Sequence, residues 1–175
     1  MKNYVMSIFS LFFLLTIITS PAEAQLGDGN RKGFLLGLGG VIGNTNIYYK
    51  SGSTDGAITY GANIYLGYGF NEQSILSFRY RWTWIDTRSH LQGLTWVADY
   101  KYFLSENGKF FLNGGLGPAM SIPEFGNPKN GFAFYGGLGY EVFKYVFLKA
   151  DFTSIRLEDG LSGTAIMASL SFQKY

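Results

Sequence analysis

Few residues of this sequence could carry out chemistry. His90 is the only histidine, and it directly follows Ser89 in the short polar segment 86–90. A catalytic serine and its histidine base usually meet across space, with a third group orienting the base, and sequence neighbours rarely reach that geometry. We therefore interpret His90 as a surface-loop residue, and we expect the chain not to be an enzyme.

The composition also argues against a metal, a cofactor or a nucleic-acid partner. The chain has no cysteine, so no His/Cys cluster with zinc-ligand spacing can form. No glycine-rich strand-to-helix turn indicates a nucleotide site. The 14 basic and 12 acidic residues give a net charge of only +2, without the basic runs that bind nucleic acid.

The remaining candidates are charged residues that share one parity. Seven charges occupy odd-numbered positions inside alternating segments: Arg79, Arg81, Asp99, Lys101, Glu141, Lys149 and Asp151. Residues of one parity lie on one face of a β-strand, and buried charges are costly unless they are paired. We predict that they form one interior ion network. In it Arg79 lies near Asp99, Glu141 lies within reach of Lys149, and Asp151 pairs with an arginine or lysine across the lumen.

Strands are needed to place these charges. From Lys32 onward the chain divides into segments of about ten residues that alternate large apolar with small or polar residues, separated by turn formers. The predicted strands are 33–42, 57–70, 74–85, 92–104, 109–121, 131–143, 146–155 and 163–173. The fold class that follows is all-β, an eight-stranded antiparallel up-and-down transmembrane β-barrel.

Volume decides which face points outward. Even positions carry more than thirty bulky apolar side chains, whereas odd positions carry mostly Gly, Ser, Thr and Asn besides the charges. An eight-stranded barrel has an interior only wide enough for side chains or one small ligand. We therefore expect the apolar face to meet lipid, against the alternative of a soluble lipocalin-like cup.

The N-terminus has the pattern of a secretory signal peptide. Lys2 precedes an apolar stretch at 5–18, and Ala22 and Ala24 suit cleavage before Gln25. A transmembrane anchor is the alternative, but the stretch is short for a spanning helix. The predicted division is a signal peptide at 1–24, a short periplasmic segment at 25–32 and the barrel at 33–175.

The connections predict the orientation. Those at 71–73, 105–108 and 144–145 are short, and those at 43–56, 86–91, 122–130 and 156–162 are longer or more polar. Membrane barrels of this kind have short periplasmic turns and longer external loops, so both termini should be periplasmic. Loops 43–56 and 122–130 are the best candidates for contacting a surface ligand.

Aromatic residues on the even face should form two girdles at the membrane interfaces. The predicted outer girdle is Tyr60, Trp82, Trp84, Trp96 and Phe132, and the predicted periplasmic girdle is Tyr68, Phe70, Tyr100, Tyr102 and Tyr140.

Residues 33–175 resemble the small outer-membrane barrel families: the OmpA barrel domain, OmpX and Ail, and the opacity-type, porin-like proteins. The resemblance rests on strand count, parity and an apolar, aromatic last strand at 166–175, which ends in Tyr175 where the common form ends in Phe. It implies a bacterial outer-membrane location, contact with membrane lipid and lipopolysaccharide, and recognition of the last strand by the barrel assembly machinery.

Two enzyme families share this architecture. The lipid A deacylase PagL has a His-x-Ser pair on its penultimate strand, where this chain has Asp151-Phe-Thr153. The palmitoyltransferase PagP begins with an amphipathic helix, for which 25–31 is too short and too glycine-rich. The sequence thus predicts a structural or surface-interaction barrel, adhesin-like, with a lumen plugged by salt bridges. The alternative is a barrel that passes a small solute or handles lipid.

Overall fold

The computed structural model describes residues 31–52, 54–86, 91–124 and 126–175. The predicted signal peptide, most of segment 25–32, and the Ser89–His90 pair lie outside the described residues. Within the described ranges, no helix is both long and apolar enough to cross a membrane.

The described part of the chain forms eight strands, each paired antiparallel with its neighbours, and β1 pairs with β8 to close the sheet. The strands are β1 Gly33–Tyr48, β2 Thr54–Gly69, β3 Ser74–Ile85, β4 Leu91–Phe103, β5 Phe110–Ile122, β6 Lys129–Phe143, β7 Val146–Leu157 and β8 Ser162–Lys174. A short 3₁₀ turn, Glu158–Gly160, separates β7 from β8. The predicted fold class is confirmed.

The register sets the tilt of the strands. Pairs followed from Gly40 through β2 to β5 reach Asn130 on β6, whereas pairs followed through β8 and β7 reach Tyr140. The stagger is therefore 140 − 130 = 10 residues. With a rise of about 3.3 Å and a strand spacing of about 4.8 Å, this stagger gives a tilt of about 41°. A strand of 12 residues, such as β3, then spans about 30 Å along the axis, the thickness of a bilayer core.

The two faces of the sheet divide by parity. Even-numbered apolar residues along all eight strands point outward, and most are exposed, from Leu38 at 38% to Ile166 at 70%. Odd-numbered residues point into the barrel and are buried, including all seven charges of the predicted network. An exterior this apolar and an interior this charged reverse the arrangement of a soluble cup.

Inward-facing glycines allow neighbouring backbones to approach closely and leave room for large side chains inside the barrel. A Cβ on Gly117 would overlap the carbonyl of Trp96 on the neighbouring strand, and a Cβ on Gly139 would overlap the ring of Phe111. The first glycine permits close approach of two backbones, and the second makes room for an interior aromatic ring. The space left by the inward-facing glycines is therefore occupied by aromatic as well as charged side chains.

The four connections predicted as external loops are shorter than the sequence predicted. The predicted loop 43–56 is mostly strand, because β1 and β2 remain paired from Gly33↔Gly69 to Tyr48↔Thr54, which leaves only 49–53. The other three loops on this side are 86–90, 123–128 and 158–161. The turns at the opposite side are 70–73, 104–109 and 144–145. We name these sides the loop end and the turn end; the start of β1 and the end of β8 lie at the turn end.

Candidate functional site: the barrel interior

Asp151 is the centre of the part of the interior network that lies nearer the loop end. Its Oδ2 accepts hydrogen bonds from Arg79 Nη1 at 3.1 Å and Arg81 Nη2 at 3.0 Å. Its Oδ1 accepts one from Asn113 Nδ2 at 2.7 Å. All of these side chains are buried. Three strands, β3, β5 and β7, are thus joined through one carboxylate across the lumen.

Both guanidinium groups have further partners. Arg81 Nε donates to Asn63 Oδ1 at 2.8 Å, and its Nη1 lies 3.1 Å from the sulfur of Met167. The guanidinium of Arg79 lies 3.6 Å from the ring centroid of Tyr135. A cation over an aromatic face is stabilised most when both are shielded from water. The arginines are therefore held by acceptors and a ring as well as by the ion pair.

The part of the network nearer the turn end contains both lysines. Lys149 Nζ donates to the Tyr65 hydroxyl at 2.6 Å. Lys101 donates to Gln173 Oε1 and lies 3.7 Å from Asp99 Oδ2, which also accepts a bond from Ser77 at 3.2 Å. This part links β2, β3, β4, β7 and β8. Each lysine therefore has a polar partner on another strand.

Two of the predicted ion pairs are wrong in detail. Arg79 forms its salt bridge with Asp151 and not with Asp99, because its direct neighbour on β4 is Val97 and its guanidinium crosses the lumen to β7. Glu141 pairs with Arg31 at 2.7 Å and not with Lys149. Glu141 lies opposite Phe147 near the end of β6, which places this carboxylate at the turn end, away from the rest of the network.

Arg31 is a site residue that the sequence analysis missed. It precedes β1, and its side chain is almost completely buried at the turn end, with the guanidinium 3.7 Å from the ring centroid of Phe103. Position 31 is odd, so extending the inward parity two residues beyond the strand would have identified it.

An apolar cluster fills the lumen between Arg31 and the lysines. It comprises Leu35, Tyr65, Ile75, Phe103, Phe111 and Phe147, all 0–1% exposed. The rings of Phe103 and Phe111 are 5.1 Å apart, and that of Phe147 lies 5.8 Å from Phe111. None of these six residues belongs to the predicted interior ion network. The buried interior is consequently aromatic as well as ionic.

Tyr175 extends this cluster at the C-terminus. Its ring packs on Phe147 at 6.3 Å and on Tyr145 at 6.0 Å, and burial raises the pKa of its phenol well above the usual value. Tyr175 lies on the inward parity, whereas the outward apolar side chains of β8 end at Phe172. The last outward aromatic residue of the chain is therefore Phe172.

The loop half of the interior is lined by small side chains. Thr45 and Thr59 share a hydrogen bond of 2.6 Å, and Thr83 donates to the carbonyl of Gly93 at 3.1 Å. Above them lies an aliphatic cluster of Ile47, Ala57 and Ile85, with Leu91 and Leu161 packed against it. This end therefore has aliphatic contacts and contains none of the seven charges.

Comparison with known proteins establishes the fold. No family model matches the chain, and no curated protein sequence matches it. Among solved structures, Ail of Yersinia pestis matches with a TM-score of 0.64 and 15% identity, covering 82% of this chain and 99% of Ail. This chain has the fold of the small outer-membrane barrels.

Two further barrels of this type match. Neisserial surface protein A has a TM-score of 0.56 at 13% identity, covering 79% of this chain and 96% of that chain. The N-terminal barrel of Pseudomonas aeruginosa OprF has a TM-score of 0.53 at 15% identity, covering 79% and 97%. The predicted resemblance to small eight-stranded outer-membrane barrels is confirmed.

On the outside of this outer-membrane-type barrel, the predicted girdle residues point away from the lumen. Trp84 stacks on Trp82 at 4.7 Å and on Tyr60 at 5.8 Å near the loop end. Near the turn end, Tyr68 contacts Phe70 at 5.7 Å. The other predicted girdle residues also lie on this face: Trp96, Phe132, Tyr100, Tyr102 and Tyr140. Trp84, Trp96 and Tyr140 are half-buried by their neighbours, and the rest are exposed.

The lipid face also has a shallow depression of about 330 Å³ over β2, β3 and β4. Leu66, Tyr68, Leu76 and Phe78 form its sides, and Ala98 is the small residue among them. Because these residues point outward, the depression belongs to the outer wall of the barrel and is separate from the lumen.

Proposed function

We propose that this chain is a structural and surface-contact protein of the bacterial outer membrane. Its lumen is closed, its loop end faces the exterior and both termini lie in the periplasm. It performs no turnover. Its apolar face contacts membrane lipid and lipopolysaccharide, and its last strand is recognised by the barrel assembly machinery during insertion.

The observation that carries this proposal is the burial of the interior. Asp99 and Lys101 are 0% exposed, and Arg79, Lys149 and Asp151 are 1% exposed. Side chains that line a water-filled pore would retain substantial exposure to water. Two successive layers, the ionic network and the aromatic cluster, therefore support a closed lumen and disfavour the small-solute alternative.

The orientation follows from the topology of related architectures. An even number of strands places both termini on one side, and in outer-membrane barrels this side is periplasmic. The two-residue turn Lys144–Tyr145, whose Tyr145 carbonyl accepts a hydrogen bond from Gln173 N at 2.7 Å, lies at the same end. This supports a periplasmic turn end and an exterior loop end.

The surface contact most strongly supported by the structure is the tip of the β1–β2 hairpin. Tyr48 and Tyr49 there are 39% and 38% exposed, and Lys50 follows them. The β5–β6 loop at 123–128 provides a second exposed surface at the same end. Exposed tyrosines are common anchors of protein and carbohydrate contacts because one flat side chain offers both apolar area and a hydroxyl group.

Charge limits the class of partner. A crystal structure shows Ail in complex with the heparin analogue sucrose octasulfate. In this chain the segments predicted as external loops, 43–56, 86–91, 122–130 and 156–162, carry five acidic and four basic residues: Asp55, Asp86, Glu124, Glu158 and Asp159 against Lys50, Arg88, Lys129 and Arg156. Such a balance does not favour a polysulfate, so we expect a neutral or weakly charged partner.

The proposed absence of turnover is supported by the residues at the position where lipid A deacylase has its catalytic pair. The matching residues here, Asp151 and Thr153, point into the lumen. Both are hydrogen-bonded to Arg81. Neither is available to a substrate that arrives from the membrane.

Single-channel recording tests the closed lumen. The purified barrel should show no stable conductance step in planar bilayers, and substitution of Phe103, Phe111 and Phe147 together by alanine should not produce one, because the ionic network still fills the lumen. A stable step from the unmodified protein would instead support the small-solute alternative. Insertion is verified beforehand by the different gel mobilities of heated and unheated samples.

Cysteine labelling tests the orientation cleanly, since the chain has no cysteine of its own. A membrane-impermeant maleimide added to intact cells should modify Ser51→Cys at the loop end but not Asn107→Cys at the turn end. The opposite pattern would overturn the proposed orientation without affecting the proposed closed lumen.

A further inference from the structure

Arg31 has the most completely satisfied polar side chain at the turn end. Its Nη1 donates to the carbonyls of Glu72 and Glu106, both at 2.9 Å, and its Nη2 donates to the carbonyl of Gly108 at 2.7 Å. Its Nη2 and Nε also donate to Glu141 Oε2, at 2.7 and 3.2 Å. A guanidinium has five N–H donors in a fixed plane. Here all five have acceptors.

The acceptors are held in place without Arg31. The turn at 70–73 is fixed by Asn71, whose side chain accepts bonds from the amides of Gln73 and Ser74 at 2.9 and 2.8 Å. The turn at 104–109 is closed by the bond from Gly108 N to Ser105 O at 3.0 Å. We call the three carbonyls, the Glu141 carboxylate and the Phe103 ring the guanidinium cage. The cage belongs to the folded barrel, and Arg31 occupies it.

Arg31 itself lies outside the strand ladder. The β1–β2 pairs begin at Gly33↔Gly69, and the backbone of Arg31 is bound through its amide to Glu72 Oε2 at 3.0 Å. Its side chain can therefore leave the cage without breaking any pair of the sheet. Departure would uncover Phe103 and the apolar cluster behind it.

We propose that the turn end is a guanidinium-binding site, filled in cis by Arg31, which acts as a releasable latch over the mouth of the barrel. Lysine cannot replace it, because an ammonium group has three donors on a single atom and no planar fork. When the latch is removed, the cage accepts a free guanidinium ion of the same shape and charge.

Chemical rescue tests this directly. Arg31→Ala should lower the urea concentration at which the lipid-inserted barrel unfolds, and guanidinium chloride at about 20 mM should restore part of that shift. At this concentration the denaturing effect of guanidinium is below about 0.1 kcal/mol, so binding is not masked. The unsubstituted barrel should not respond. Sodium chloride at the same concentration controls for ionic strength, and Lys32→Ala controls for loss of a neighbouring charge.

Two further variants locate the effect. Arg31→Ala combined with Glu141→Gln should lose most of the rescue, because the cage then lacks its only carboxylate. In an Ile75→Cys background, Arg31→Ala should speed labelling by a small maleimide several-fold, and guanidinium should slow it again. If Arg31→Ala does not fold, the folded fraction with and without guanidinium supplies the same comparison, and Arg31→Lys serves as the second variant.

Equal effects of guanidinium and sodium chloride on Arg31→Ala would overturn the proposed site. Rescue without any change in Ile75→Cys labelling would establish the site and overturn the latch. Neither outcome depends on which side of the membrane the turn end faces, so the proposed function and this inference can fail separately.

Discussion

Replacing Asp151 by asparagine tests whether the interior ions hold the barrel together. The substitution keeps the volume of the side chain but removes the charge that receives Arg79 and Arg81. Both guanidinium groups would then remain buried at 1% and 3% exposure with no carboxylate between them. An asparagine amide would also present two donors to a site that contains three donor groups already.

The expected loss can be estimated from the contacts. Removing one partner of a buried ion pair costs about 3–5 kcal/mol, because the other charge is left uncompensated. Here two cations lose the same partner, so we expect the upper part of that range. With a urea dependence of about 2 kcal/mol per molar, the unfolding midpoint in lipid should fall by about 2 M. Tryptophan fluorescence and gel mobility of unheated samples both report the transition.

Two comparisons make the result decisive. Glu106→Gln removes an exposed carboxylate at the turn end and should change stability by less than about 0.5 kcal/mol. In a double-mutant cycle, Asp151→Asn and Arg81→Gln should couple by about 1–3 kcal/mol, since each removes the partner of the other. A fully inserted Asp151→Asn barrel that unfolds at the same urea concentration as Glu106→Gln would refute the reasoning.

Further predictions address packing, lipid exposure and pH. Gly115→Ala places a Cβ 2.6 Å from the ring of Tyr135 and should cost about 1–3 kcal/mol by equilibrium unfolding; outward Gly114→Ala, with 3.5 Å of clearance, should be nearly neutral. The three girdle tryptophans should be strongly quenched by lipids brominated on their acyl chains, and unquenched emission would contradict the outward face. The hydrogen bond from the Arg31 amide lowers the pKa of Glu72 below its usual 4.5. Its stabilisation is therefore present above pH 4.5 and is lost as pH falls below it, and Glu72→Gln should flatten that acid-side decline in unfolding midpoint.

The fold was predictable because the same alternation of outward apolar and inward small or polar residues is repeated in every strand. A single parity extends through eight strands, and a slip of one residue in any strand would move its apolar residues into the lumen. Volume then leaves only one orientation for the bulky face. Parity therefore predicted the burial of all seven charges without any knowledge of their partners.

The partners themselves were not predictable, because they depend on distances across the lumen. Arg79 could reach either β4 or β7, and parity alone does not distinguish Asp99 from Asp151. The extent of β1 was missed for a related reason: residues 43–46 are Gly, Asn, Thr and Asn, so alternation fades there although the paired residues continue to Tyr48↔Thr54. Strand ends in such segments are set by pairing and not by side-chain contrast.

The outer wall explains why the interior charges depend on partners inside the barrel. The chain places a small outward residue beside many of the polar inward ones: Ala62 before Asn63, Ala98 before Asp99, Gly114 after Asn113, and Ala150 before Asp151. Ala150 faces Ala168 on β8, and Gly114 faces Gly136 on β6. At these positions little more than the backbone separates the interior ions from acyl chains. A charge there gains little solvation from outside the wall, so its stability depends on the partners that the other strands supply inside the barrel.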